Sequence, residues 1–163
     1  MMIFDREQLV HITDLLQRDG DLIVLTSGCY DLLHWGHLKH LRSIKPVIRR
    51  RENREQITLI VGVNTDISVK DYKGRLPLQD ELDRMALVDS LPDVDIVCPL
   101  PELEPSALIR AVAPDYFVKG PPWGDLDKLP ELGALQEVEC IFLYLETMGN
   151  TRSSEIRKRL EKE

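Results

Sequence analysis

Two histidines three residues apart, His34 and His37, bracket Gly36 in the stretch Ser27-Gly28-Cys29-Tyr30-Asp31-Leu32-Leu33-His34-Trp35-Gly36-His37-Leu38. They follow an apolar run, Leu22 to Leu25, that reads as a buried strand, so they fall where a strand turns into a helix. A helix N-terminus offers an anion unpaired backbone N–H groups and a positive dipole end. The two imidazoles add ring N–H donors beside them, and Gly36 lets a large anion approach the backbone. The chemistry this combination suits is the holding of a phosphate. Two other readings remain open from the residues alone. His34, His37 and His40 can be polar groups on a helix surface, or His34 and His37 can ligate zinc with Cys29 or Asp31.

Further cations and hydroxyls recur where strands end. After the second apolar run come Asn64-Thr65-Asp66 and then Lys70 and Lys73, expected to extend ammonium groups over the site from a mobile loop, or else to form a solvated lysine-rich loop. Lys119 closes the fourth run and Gly120 permits the turn after it. Pro121 and Pro122 follow, removing two N–H donors, and then Trp123, which either stacks on a base or acceptor or serves packing. Thr151, Arg152, Ser153 and Ser154 open a C-terminal helix, where hydroxyls and backbone N–H groups can hold phosphate oxygens; Ser153 alternatively serves as an N-cap. Arg152 either adds a bidentate phosphate contact or disturbs one. Arg84 either reaches the phosphates or the acceptor, or forms a structural ion pair.

Positioning these groups requires alternating strands and helices. Strands are expected at 22–26, 57–63, 95–98, 115–119 and 140–145, and helices at 6–18, 37–51, 80–90, 106–112, 126–136 and 153–162. This is the pattern of β-α-β units: a single Rossmann-like, doubly wound parallel sheet of about five strands with helices on both faces. Ligands of such sheets bind at the carboxyl ends of the strands, near the topological switch point. The whole chain, 1–163, reads as one domain, with 1–20 a helical N-terminal extension and 22–160 the core. Pro46 is expected to bend or end the second helix, and the arginines that follow it to form a solvated face before the second strand.

With 163 residues, 43% hydrophobic and 30% charged, the chain is long enough to bury a core. No apolar run approaches the ~20 residues that span a bilayer. The first residues lack a signal-peptide pattern, and three irregularly spaced cysteines suit reduced thiols, so a cytoplasmic protein is expected. A net charge of −7 disfavours nucleic acid as a partner but leaves room for a small-molecule phosphate site.

The string from Gly28 to His37 resembles the His-x-Gly-His signature of the cytidylyltransferase-like nucleotidyltransferase superfamily. The segments Thr65-Asp66 to Lys70-x-x-Lys73-Gly74 and Pro114-Asp115-x-x-Val118-Lys119-Gly120 are similar to those of heptose 1-phosphate adenylyltransferases. Asp83-Arg84 matches a Glu/Asp-Arg pair of the superfamily, and Ser153 to Arg157 resembles its Ser-Thr/Ser-Thr-x-Ile-Arg signature, with Arg152 in place of the usual first hydroxyl. Trp123 and the Asp31 to His37 stretch also look like glycerol-3-phosphate cytidylyltransferases. The resemblance implies transfer of a nucleoside monophosphate from a nucleoside triphosphate to a phosphorylated small molecule, with release of pyrophosphate. Mg²⁺ would accompany the triphosphate and no metal would be bound by the protein alone.

By residue, the resemblance implies His34, His37, Lys73 and Lys119 as catalytic. Ser27, Gly28, Cys29, Tyr30, Gly36, Arg84, Gly120, Thr151, Arg152, Ser153 and Ser154 would face the nucleotide. Asp31, Asp66, Lys70 and Trp123 would face the acceptor, with Asp31 also a candidate for orienting a histidine or contacting Mg²⁺. ATP with a heptose 1-phosphate-type sugar phosphate is the first substrate expectation. CTP with glycerol 3-phosphate or ethanolamine phosphate is the alternative, a non-catalytic nucleotide-binding module the third, and a homodimer is expected from the superfamily.

Overall fold

Period-two alternation in the apolar runs sorts their side chains onto the two faces of one sheet. The computed structural model describes residues 3–121, 126–146 and 153–160. Its strands are β1 (Leu22–Gly28), β2 (Ile57–Asn64), β3 (Ile96–Leu100), β4 (Tyr116–Lys119) and β5 (Ile141–Tyr144). Its α-helices are α1 (Arg6–Arg18), α2 (Trp35–Glu52), α3 (Asp66–Lys73), α4 (Glu81–Asp89), α5 (Ser106–Val112), α6 (Leu132–Glu137) and α7 (Ser153–Leu160). All strand pairs are parallel, in the order β3-β2-β1-β4-β5. Val24, Leu59, Val61, Val97, Tyr116 and Val118 meet Leu41, Ile44 and Ile48 of α2 and Met85 and Val88 of α4. Ile23, Leu25, Ile60, Cys98 and Phe117 meet α1, α5 and α6 on the other face. The expected doubly wound fold is therefore present.

This order puts the switch point between β1 and β4. The chain leaves β1 toward β2 and β3, then returns to lay β4 along β1's other side, so the connections after Gly28 and Lys119 run to opposite faces of the sheet, the position at which ligands of such sheets bind. At the opposite end of the sheet, aspartates tie amides early in two strands, at the second residue of β1 and the third of β2. Asp95 accepts from Leu59 N–H and Asp115 accepts from Ile23 N–H at 2.7 Å. β3 and β4 each begin one residue later than expected.

Three expectations about elements are corrected. Pro46 neither bends α2 to a stop nor ends it: the helix runs unbroken for 18 residues. A mid-helix proline costs about 3 kcal/mol, but Ile44 and Ile48, two residues either side, are both fully buried, each contributing about 1.5–3 kcal/mol. Residues 66–73, expected as a mobile loop, form α3, capped by Thr65 at one end and by Gly74 in the left-handed region at the other. The helix expected over 126–136 is split into a short 3-10 turn, Leu126–Lys128, and α6, with Pro130 between them. The N-terminal helix α1 places Leu9, fully buried, in the second core.

Candidate functional site

The loop between β1 and α2 is held in a conformation that side chains seldom adopt. Tyr30 and Leu32 both have positive φ, 52° and 60°, at a cost of about 1–3 kcal/mol each that the surroundings must offset. Tyr30 is buried and lies flat on Gly28, where a Cβ would stand 3.1 Å from its Cε2. Its hydroxyl bonds to Thr26, and burial raises the phenol's pKa. Asp31, also buried, accepts from Leu78 N–H at 2.8 Å and Gln79 N–H at 3.4 Å. Gln79 returns the contact by accepting from Leu32 N–H at 3.2 Å. The loop is thus pinned to residues 75–79, with Arg75 3.8 Å from the second oxygen of Asp31.

His34 is the N-cap of α2, and its Nδ1 accepts from Gly36 N–H at 3.1 Å. The hydrogen-bond network therefore assigns the neutral ring's proton to Nε2. Gly36's amide is thereby committed to the cap. The ring of His37 stacks on that of His34, centroids 3.9 Å apart, and Tyr30 tilts against its other side at 5.3 Å. One turn further on, His40 packs beneath Gly120, where a Cβ would come within 3.2 Å of its Nδ1. Gly120 is thus required by a close approach between α2 and the loop after β4. The Nδ1 atoms of His37 and His40 are buried without hydrogen-bond partners.

Burial, then His34, His40 and Lys73, lower the pKa of His37 to about 3. Burial lowers His40 to about 4 and also lowers His34, against a smaller opposing effect of Glu155. The pair is neutral at pH 7 and becomes easier to protonate when an anion arrives. A stability prediction follows. An unfolded histidine titrates near ~6.5, so between about pH 6.5 and 4 the unfolded chain binds protons that folded His37 and His40 refuse, and stability falls as pH falls. Thermal midpoints across that window should decline with acidification, and His40→Asn should decline less steeply; an identical slope would show that His40 does not contribute.

Other elements converge on this pair. Lys73, at the end of α3, acts electrostatically on His37, and Lys70 lies one turn earlier on the same helix. The first residue of α7, Ser153, donates to Leu32's carbonyl at 3.4 Å, and Arg157 donates to that of Leu76 at 3.4 Å, so α7 docks on both loops. Ser27, Gly28 and Cys29 stand at the end of β1, leading into the loop.

Three expected ligands are differently engaged. One oxygen of Asp31 is committed to the Leu78 and Gln79 amides, and the other faces Arg75. Arg84 has no exposed surface and bonds to Cys29, Asn64, Gln79 and Asp66, the structural ion pair of its two readings, while Asp66 gives it one oxygen and stays partly exposed. Lys119 is buried against Glu131 and over the Phe117 ring. Trp123, Thr151, Arg152 and the side chain of Ser154 lie outside the described residues. Among the described residues no three of His, Cys, Asp or Glu converge as a metal site requires, and no helix is long and apolar enough to cross a membrane. Sequence reasoning missed Gln79 and Glu131, which carry no motif, and named His40 only in the alternative of a polar helix surface, although its i+3 spacing from His37 placed it on the same face.

A doubly wound α/β domain with a stacked histidine pair after the strand at its switch point is what these elements define. A family model described as cytidylyltransferase-like matches residues 25–159, and the chain belongs to that family of nucleotidyltransferases. The bifunctional protein HldE of Nitratiruptor sp. is 42% identical over 119 residues, covering 72% of this chain and 24% of that protein. HldE of Wolinella succinogenes is 35% identical over 159 residues, covering 96% of this chain and 31% of its own. The chain therefore spans about a third or less of these relatives. The fold is also that of the lipopolysaccharide core biosynthesis protein from Thermoplasma volcanium, with a TM-score of 0.62 at 24% identity, covering 80% of this chain and all of that one.

Proposed function

We propose that the chain transfers a nucleoside monophosphate from a magnesium–triphosphate complex to a phosphorylated small molecule, ATP and a heptose 1-phosphate-type sugar phosphate being the favoured pair. The observation that carries this reading is the stacked, neutral His34–His37 pair at the head of α2, with Lys73 acting on it and α7 docked beside it. An oxygen of the acceptor phosphate attacks the α-phosphorus, and the bond to pyrophosphate breaks. The acceptor is already ionised at neutral pH, so no strong base is needed. What is needed is suppression of anion repulsion, alignment, and stabilisation of charge on the phosphoryl oxygens. The Nε2–H of His34 is a preset donor for that charge, and protonation of His37 becomes favourable only when the anion is in place. Mg²⁺ arrives with the triphosphate and neutralises part of its charge. The choice of sugar phosphate rests on the segments around Lys73 and Lys119, supported by relatives at 35–42% identity over a shared domain.

Pyrophosphate release measured over ATP, CTP, GTP and UTP against a panel of phosphorylated sugars and alcohols tests the proposal. Turnover with ATP and a sugar 1-phosphate is expected. Turnover with CTP and glycerol 3-phosphate or ethanolamine phosphate would replace the substrate pair, and nucleotide binding without release in any combination would make the chain a non-catalytic module.

A further inference from the structure

Among the described residues the only arginine with a fully buried side chain, Arg84 of α4, directs its guanidinium at four acceptors on three segments. Its Nη1 donates to the carbonyls of Cys29 at 2.6 Å and Asn64 at 2.7 Å. Its Nε donates to the carbonyl of Gln79 at 3.0 Å, and its Nη2 to the carboxylate of Asp66 at 2.6 Å. Cys29 begins the loop that carries His34 and His37, Asn64 ends β2, Asp66 begins the helix that carries Lys73, and Gln79 belongs to the segment that pins the Asp31 loop. One planar fork therefore ties the histidines' loop to the helix that carries Lys73.

We infer that Arg84 is a positioning residue for nucleotidyl transfer, setting the histidine loop against α3 so that His37 and Lys73 act on one phosphoryl group together. The inference rests on the transfer reading above. A buried cation with carbonyl and carboxylate partners is costly to desolvate and weak evidence for stability, whereas a rigid fork fixes the mutual angles of what it touches. Without it, the histidine loop remains anchored by Asp31 and α3 by its own caps, so each can still meet an anion in the ground state. What is lost is their alignment, which matters most in the transition state.

The test compares wild type with Arg84→Lys and Arg84→Ala. A lysine keeps the charge but cannot span four acceptors. In both variants turnover is expected to fall about 10²-fold, the loss typical of ångström-scale misalignment, while the calorimetric Kd for the triphosphate moves by less than about threefold. Added guanidinium is expected to restore part of the turnover of Arg84→Ala, and ammonium at equal concentration to restore none. Loss of triphosphate binding in step with turnover would make Arg84 a ligand and overturn the inference. Turnover that merely follows the folded fraction would overturn it in favour of a stabilising role. Should neither variant fold, hydrogen exchange on wild type decides: residues 29–33, 64–68 and 76–80 are expected to open as one unit, and separate opening would overturn the inference. Wild-type pyrophosphate release, measured alongside, fails only if the transfer reading itself fails.

Discussion

His37→Ala is expected to lower turnover by about 10²–10³-fold, the loss that follows removal of one preorganised donor from a developing charge, with little change in thermal stability. Two features separate the effects. The ring lies between His34 and Tyr30 at the head of α2, in a neutral state that burial and the nearby cations enforce. A triphosphate changes that balance, because an anion favours the imidazolium, and the gain is greatest where charge builds up in the transition state. In the absence of ligand, the same ring leaves Nδ1 buried without a partner, a penalty of about 1–3 kcal/mol that its deletion removes, offsetting the packing lost. The expected pattern is a large fall in kcat with a midpoint within a few degrees of wild type. Near-wild-type turnover would remove the histidine pair from the mechanism, and an unfolded variant would make the ring structural.

The sheet and the histidine string were legible because both depend on short-range pattern. The continuous apolar runs in Leu22–Gly28 and Ile57–Asn64 follow from strands covered on both faces, and any parallel sheet places its loops at the same end. The Gly28-to-His37 string likewise positions itself through adjacent residues: Gly28 under Tyr30, and His34 capping its own helix. What was not legible depends on partners distant in the chain. Nothing near Lys119 announces that Glu131 takes its ammonium, and nothing near Arg84 announces carbonyls 55 and 20 residues away. Pro46 misled for a related reason, since its local cost was visible but the anchoring of Ile44 and Ile48 was tertiary. In each case charge or breaker type was read correctly and its destination was not.

Asp31→Ala should rank next in effect, and Asp31→Asn distinguishes the role the structure gives this residue from the one the motif suggested. As a contact for the acceptor or for Mg²⁺, the group would need its negative charge, and asparagine and alanine would impair turnover alike. In the structure the carboxylate instead accepts from the Leu78 and Gln79 amides, with 4% of its surface exposed. An asparagine carbonyl oxygen can occupy the same position and accept the same two bonds, losing only the charge that faces Arg75 at 3.8 Å. Alanine leaves both amides without an acceptor, at about 1–3 kcal/mol, and releases the strained loop in which Tyr30 and Leu32 hold positive φ. Since that loop sets His34 at the head of α2, the alanine variant should lose about 10²-fold in turnover and melt several degrees lower, while the asparagine variant keeps most of both. Equal loss in the two variants, with stability retained, would return Asp31 to direct contact with the reactants; the expected split would establish that its carboxylate acts by holding the backbone.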